Sequence, residues 1–274
     1  MKIALLQMTS GVDPVANAQA LAAGVEAAAK GGAAMLFTPE MTGLVDRDRA
    51  RAGASIVAEG DDVVLAAARM AAAAHGIWLH LGSLALRGAG GKFVNRGFVI
   101  DAGGAIRARY DKLHLFDVDL PGGESWRESA VYEPGQGAAV IGTPAGPLGL
   151  SICYDLRFAD LYRALSSAGA QILSVPAAFT RPTGKDHWEV LLRARAIESG
   201  AYVVAAAQTG IHADGRETYG HSLVIDPWGR VLLDMGEAAG IGFAEIDMAC
   251  VADVRTRIPV LAHRRPIPPV AVVA

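Results

Sequence analysis

Two alanine-rich segments, 14–30 and 61–75, alternate with short apolar runs of strand length, and this alternation confines the chain to an α/β fold. Small side chains allow close packing of a helix on a sheet. Asp13 followed by Pro14 is a helix start, an N-cap with proline at the first helical position, and Gly31-Gly32 ends the segment. The second helix begins among acidic residues, which suit the positive end of a helix dipole, and stops at Gly76. Strands are expected over 2–8, 33–38 and 77–82. Residues 93–100 and 105–110 flank Asp101-Ala102-Gly103-Gly104, a hairpin signal. Beyond them, strands are expected over 138–141, 149–152, 172–175, 202–207, 221–225, 231–233 and 241–246, and helices over 160–168 and 188–199. Asp226-Pro227-Trp228-Gly229 forms a second hairpin turn. The two halves share this order of elements, which predicts two sheets face to face with helices outside, a four-layer α-β-β-α sandwich.

With 274 residues, 52% hydrophobic and 19% charged, the chain suits a well-buried core, and no shift in composition marks a linker. The net charge of −3 and the scattered Lys and Arg argue against nucleic-acid binding. Its apolar stretches are too short to span a bilayer. Ile3-Ala4-Leu5-Leu6 before polar Gln7 reads as a first strand and not as a signal-peptide core, so a cytoplasmic protein without membrane contact is expected. Two cysteines make no disulfide framework, and their spacing matches no zinc site; Cys250 reads as a small buried apolar side chain. The Pro-rich end, 264–274, is expected to be extended, either disordered or an arm reaching a partner subunit.

Cys153 stands where the apolar run Gly149-Leu150-Ser151-Ile152 gives way to a turn and an amphipathic helix, a position that presents a thiol at the lip of a sheet. Glu40, after Phe37-Thr38-Pro39, and Lys112, after Tyr110-Asp111, occupy similar positions. A thiol at neutral pH needs a base, and a carboxylate whose pKa burial raises toward neutrality can serve. An ammonium can hold thiol and carboxylate in place and stabilise an oxyanion, as can the backbone N–H of Tyr154 just after the nucleophile. Each of the three could also be structural, and spacing alone does not bring them together.

The segments Phe37-Thr38-Pro39-Glu40, Tyr110-Asp111-Lys112-Leu113-His114-Leu115-Phe116 and Cys153-Tyr154-Asp155-Leu156-Arg157-Phe158 closely resemble, in order, the three signatures of the nitrilase superfamily of carbon–nitrogen hydrolases. The resemblance runs from Met1 to about Pro266, which implies a hydrolase domain over 1–266 with an extended tail over 267–274. It also implies the α-β-β-α sandwich, assembly as a homodimer or homotetramer, and catalysis by Glu40, Lys112 and Cys153 without metal or cofactor. Glu128, in Trp126-Arg127-Glu128-Ser129, matches a second glutamate that orients the lysine and the substrate amide in that family.

Nitrile-cleaving members usually carry Cys-Trp-Glu, whereas Cys153-Tyr154-Asp155-Leu156-Arg157-Phe158 resembles the amidase branch that contains omega-amidase and deaminated glutathione amidase. The segments 116–122, 187–198, 219–222 and 226–229 fit that branch, and Tyr202–Gln208 with His263-Arg264-Arg265-Pro266 favour the second enzyme. The implied reaction is thioester-mediated cleavage of deaminated glutathione to 2-oxoglutarate and cysteinylglycine, with 2-oxoglutaramate or another small amide as the alternative substrate. An α-keto acid calls for cations or amide donors: Arg157, and the loop Phe179-Thr180-Arg181-Pro182-Thr183-Gly184-Lys185, in which Arg181 and Lys185 are the candidates. His187 and Trp188 read as packing at a helix start, since Glu40 already supplies a base. Two other classes compete: a scaffold that keeps the fold without catalysis, and a redox thiol protein with Cys250 as resolving cysteine.

Overall fold

The structure, a computed structural model, describes residues 1–119 and 125–273. In the first half run β1 (Lys2–Gln7), α1 (Pro14–Lys30), β2 (Met35–Phe37), α2 (Arg49–Ser55), α3 (Val63–His75), β3 (Trp78–Arg87), β4 (Phe93–Ile100) and β5 (Ile106–Asp111). A ribbon of β6 (Asp117–Asp119) and β7 (Ser125–Arg127) leads to the second half: β8 (Val140–Thr143), β9 (Gly146–Leu150), α4 (Ala159–Ser167), β10 (Ile172–Ser174), α5 (Arg181–Ser199) and β11 (Tyr202–Ala205). A second ribbon, β12 (Thr209–Ile211) and β13 (Glu217–Tyr219), precedes β14 (Leu223–Ile225), β15 (Val231–Asp234), β16 (Gly240–Glu245) and α6 (Met248–Arg257). Of the segment 116–122 quoted above, Leu120, Pro121 and Gly122 lie outside the described residues.

The strands form two six-stranded sheets, ordered β16-β1-β2-β3-β4-β5 and β15-β14-β11-β10-β9-β8. Each has three parallel strands at its centre, β1-β2-β3 and β9-β10-β11, flanked by antiparallel ones. β16 leaves the second half and pairs antiparallel with β1, from Lys2 opposite Glu245 to Gln7 opposite Gly240. Ile3, Leu5, Met35 and Phe37 belong to the core between the sheets, with Leu148, Leu150 and Val203. Their neighbours Ala4, Leu6 and Leu36 pack instead with Leu21 and Val25 of α1 and Ala68 and Ala72 of α3. Central strands buried on both faces have no polar face, so they read as continuous apolar runs. With α4 and α5 against the second sheet, the molecule is the four-layer α-β-β-α sandwich that the alternation predicts.

The expected helix ends are present. The Asp13 carboxylate accepts the Val15 N–H, Asp62 accepts that of Leu65, and Gly76 closes α3 at φ +64°, a conformation open to glycine. Two elements are longer than expected. β3 continues past Gly82 to Arg87, because that glycine is a point of close approach within a strand and not its end. α5 begins at Arg181, so Arg181 and Lys185 lie in a helix and not in the expected loop. Pro182 is tolerated in a first helical turn, and Gly184 is there because a Cβ would collide with the Tyr219 ring.

A Cβ on Gly82 would strike the carbonyl oxygens of Thr38 and Pro39 and lie 2.6 Å from Pro176 Cβ of the other sheet. Backbone oxygens cannot swing aside, so Gly82→Ala should lower unfolding free energy by at least about 2 kcal/mol in urea titration. An unchanged midpoint would show that the strands beside Glu40 can separate at no cost.

Candidate active site

Parallel strands place the ends that matter at one edge. Glu40 follows β2 of the first sheet, Cys153 follows β9 and Ala178 follows β10 of the second, and Lys112 comes directly after β5. These are the strand ends where open α/β sheets bind ligands. All three predicted side chains meet there. Glu40 is 4% exposed, Lys112 3% and Cys153 8%. Lys112 Nζ donates to Glu40 Oε1 at 2.9 Å and to Glu128 Oε2 at 3.0 Å. The other Glu40 oxygen accepts the backbone N–H of Ala178 at 2.9 Å, across from the opposite sheet. Glu128 Oε2 also takes the Phe116 N–H, which holds the carboxylate on the lysine.

Cys153 adopts φ +50°, left-handed backbone that a side-chain-bearing residue rarely takes. Its own N–H is held by Pro176 O at 2.9 Å. A short helical turn, Cys153–Arg157, starts there, and the Tyr154 N–H makes no hydrogen bond among the described residues. Asp155 secures the elbow. One carboxylate oxygen accepts the Ile152 N–H at 2.9 Å and the Tyr110 hydroxyl at 2.7 Å; the other meets the His114 N–H at 3.0 Å and Nδ1 at 2.7 Å. The Cys153 turn is thereby tied to β5 and the segment that carries Lys112.

The electrostatics differ from expectation at one point. Burial does oppose ionisation of Glu40, but the Lys112 charge and hydrogen bonds from Cys153, Lys112 and Asn95 outweigh it and hold the carboxyl below its ordinary range. The anticipated rise toward neutrality does not occur, because the ammonium comes with the burial. Cys153 is pushed the other way, first by burial and then by the Glu40 charge, with Lys112 opposing. Lys112 stays charged: burial works against its proton, but Glu128 and Glu40 more than compensate. The resting arrangement is thus a carboxylate and a neutral thiol, with the Lys112 ammonium bonded to the carboxylate.

A cavity of ≈ 420 Å³ opens over Cys153, Glu40 and Lys112 and is lined further by Glu128, Tyr154, Phe179 and Thr180. Three expected substrate cations are absent from its lining. Arg181 is committed to Glu217 at 3.0 Å and Glu237 at 3.1 Å on the outer surface, Lys185 is exposed on α5, and Arg157 lies over the Tyr154 and Phe179 rings with His187 at 3.3 Å. Helix geometry turns Arg181 and Lys185 outward, while Arg157 supports the pocket wall from behind. Trp188 packs as expected, donating to His221 O at 2.8 Å, whereas His187 is exposed. Cys250 lies on α6 and does not line the cavity, which leaves Cys153 without a resolving partner there.

Sequence reasoning missed two polar residues. Asn95 is 1% exposed on β4 and donates to Glu40 Oε1 at 2.9 Å; an amide inside the apolar stretch Phe93-Val94-Asn95 was its only signal. Gln208 donates to the carbonyls of Glu40 at 3.1 Å and Met41 at 3.3 Å and accepts the Ser10 N–H, which fixes the loop carrying the carboxylate. Among the described residues, no group of three or more His, Cys, Asp or Glu is arranged to hold a metal ion, and no helix is long and apolar enough to cross a membrane.

Because charged hydrogen bonds to a buried carboxylate contribute most, Asp155→Asn should cost about 2–3 kcal/mol in denaturant unfolding, and Asp155→Ala more. Equal stability of Asp155→Ala and the parent would remove Asp155 from the account of the elbow.

The comparisons with known proteins follow the same geometry. The carbon-nitrogen hydrolase family model matches residues 2–256. Human deaminated glutathione amidase is 42% identical over 269 residues, covering 96% of this chain and 82% of the human protein. The crystal structure of the NitFhit protein of Caenorhabditis elegans superposes with a TM-score of 0.89 at 42% identity, covering 96% of this chain; the chain spans 65% of that one. In a mutant of the amidase from Nesterenkonia sp. AN1, acrylamide has undergone Michael addition at the active-site cysteine; that structure gives a TM-score of 0.78 at 28% identity, covering 94% of this chain and 98% of the other. With the family model spanning nearly its whole length, this chain belongs to the carbon–nitrogen hydrolase family.

Proposed function

We propose that the chain is an amidase that hydrolyses deaminated glutathione to 2-oxoglutarate and cysteinylglycine through a thioester on Cys153. The observation that carries the chemistry is the Glu40 carboxylate, held ionised by Lys112 beside a neutral buried thiol. Glu40 takes the thiol proton as sulfur attacks the amide carbon and forms the C–S bond. Lys112 and the Tyr154 N–H face the developing oxyanion. The tetrahedral intermediate collapses, the C–N bond breaks, and the proton on Glu40 goes to the leaving amine. Water then gives a proton to Glu40 and attacks the thioester, and the thiol recovers that proton as the acid leaves. Glu128 is assigned to orienting Lys112, on its 3.0 Å contact.

The substrate follows from likeness and room. The human relative bears the name deaminated glutathione amidase, and the ≈ 420 Å³ cavity can hold a leaving group larger than ammonia. We assign the protein to the cytoplasm, in keeping with a free nucleophilic thiol. Assembly into a homodimer or homotetramer is supported by apolar side chains left exposed on α5, Val190 at 67% and Ile197 at 52%.

Comparison of kcat/KM for deaminated glutathione and 2-oxoglutaramate decides the substrate. A preference for the former by tenfold or more, about 1.4 kcal/mol, is expected; a preference for 2-oxoglutaramate would make the chain an omega-amidase. Cys153→Ala should show no turnover and no acyl-enzyme mass, and Glu40→Gln should fold but lose roughly 10²-fold or more in kcat. The pH dependence follows from the sign of the Glu40 shift. Glu40 acts as a carboxylate with its pKa held below 4.5, so kcat/KM should remain level as pH falls to that value and drop only beneath it. An acid limb centred near pH 6 would contradict this assignment of the base.

A further inference from the structure

The cavity contains a cation that the proposed chemistry does not use. Arg216 lies in the turn between β12 and β13 and lines the same cavity as Cys153 and Glu40. Its backbone is pinned: the N–H donates to Asp214 Oδ1 at 2.8 Å, and the carbonyl accepts the His212 N–H at 2.8 Å. Its guanidinium lies 4.7 Å from the Trp126 ring centroid, and the side chain is only 17% exposed. None of the guanidinium N–H groups makes a hydrogen bond among the described residues, and Nε is fully buried without an acceptor. Trp126 Nε1 beside it is also buried and without a partner among the described residues.

The charge around Arg216 is only partly balanced. Its nearest carboxylate, Asp214, is 3.6 Å away, outside hydrogen-bond range, and the same oxygen also faces Arg47 at 3.9 Å. Other acids on the cavity wall are engaged elsewhere: Glu40 and Glu128 on Lys112, and Asp46 on Arg51. Arg127, another lining arginine, differs in being half-exposed and paired with both oxygens of Asp119. A buried guanidinium with unused donors is costly unless something accepts from it, and the planar fork matches a carboxylate.

We propose that Arg216, stacked on Trp126, binds the substrate's carboxylate and so makes the enzyme selective for anionic amides. The proposal builds on the reading of the chain as a keto-acid amidase and names the residue that reads the acid. Deaminated glutathione carries a carboxylate at each end, one beside the keto group and one on the glycine of the leaving amine. The assignment is to the end beside the keto group, which stays on the enzyme in both half-reactions.

The test compares three substrates in parent, Arg216→Gln and Arg216→Lys enzymes. They are deaminated glutathione, 2-oxoglutaramate, and 4-oxopentanamide, in which a methyl replaces the carboxylate beside the ketone. Arg216→Gln should lower kcat/KM for both acids by roughly 100-fold, mainly through KM, and far less for the neutral amide. Arg216→Lys should recover part of the loss, because it keeps the charge but not the fork. The constant for protection of Cys153 from iodoacetamide by 2-oxoglutarate should weaken in parallel. A loss confined to deaminated glutathione would keep the carboxylate clamp and move it to the glycine end. An equal loss on all three substrates, or no loss in a folded Arg216→Gln enzyme, would overturn the proposal. A parent enzyme with no preference for either acid over the neutral amide would instead sink the keto-acid amidase reading itself.

Discussion

A buried carboxylate with a partner on every side organises this molecule. Glu40 receives Lys112 from the end of β5, Asn95 from β4 and the Ala178 N–H from the opposite sheet. Removing a carboxylate from water is expensive, and only this full set of donors makes the ionised form the stable one. The donors come from three separate stretches of chain, so the carboxylate is satisfied only when both sheets are in place. Folding of the sandwich and formation of the charged site are therefore one event. The same constraint bears on the proposed chemistry, since the ammonium that keeps Glu40 ionised also acts on the Cys153 thiol.

The backbone around this group is built for close approach. Gly82 lets β3 pass against the carbonyls of Thr38 and Pro39, just before Glu40. Met41, after it, takes φ +55°, and Cys153 takes φ +50°. Each left-handed residue costs on the order of 1 kcal/mol or more, and each is held by named bonds: Ser83 Oγ accepts the Met41 N–H, and Pro176 O accepts that of Cys153. Asp155 adds the link between the elbow and the lysine strand. Two of the three non-glycine residues with left-handed backbone among the described residues are thus Cys153 and the neighbour of Glu40; the third is His221, at φ +53°.

How far the site could be read from the chain depended on whether a residue acts through local or distant neighbours. The cap at Asp13 and the left-handed stop at Gly76 act within a few residues, so composition and order reveal them, whereas the second helix, expected from 61, starts at Val63 with Asp62 as its cap. Glu40, Lys112 and Cys153 stand at strand ends within distinctive motifs and were legible individually; their meeting was not. Asn95 looked like an ordinary strand residue because its partner is 55 positions away. Arg181 and Lys185 looked like loop cations because proline and glycine usually mark loops. In α5 the proline sits in the first turn, where no N–H is needed, and the glycine makes room for Tyr219. Arg216 gave no signal, since its burial depends on Trp126, 90 positions earlier in the chain.

Apolar periodicity and turn residues were enough to specify the layers, because each strand and helix must bury its own apolar face whatever its neighbours are. The three reactive residue types, and hence the class of reaction, were likewise present in the order of the chain. Tertiary structure alone decided their protonation and the shape of the cavity. A pKa depends on which charges come within a few ångströms after the sheets pack, and burial by itself would have moved Glu40 the wrong way. It also brought Arg216 to the cavity wall, since that rests on where the turn between β12 and β13 lies against Trp126 of β7.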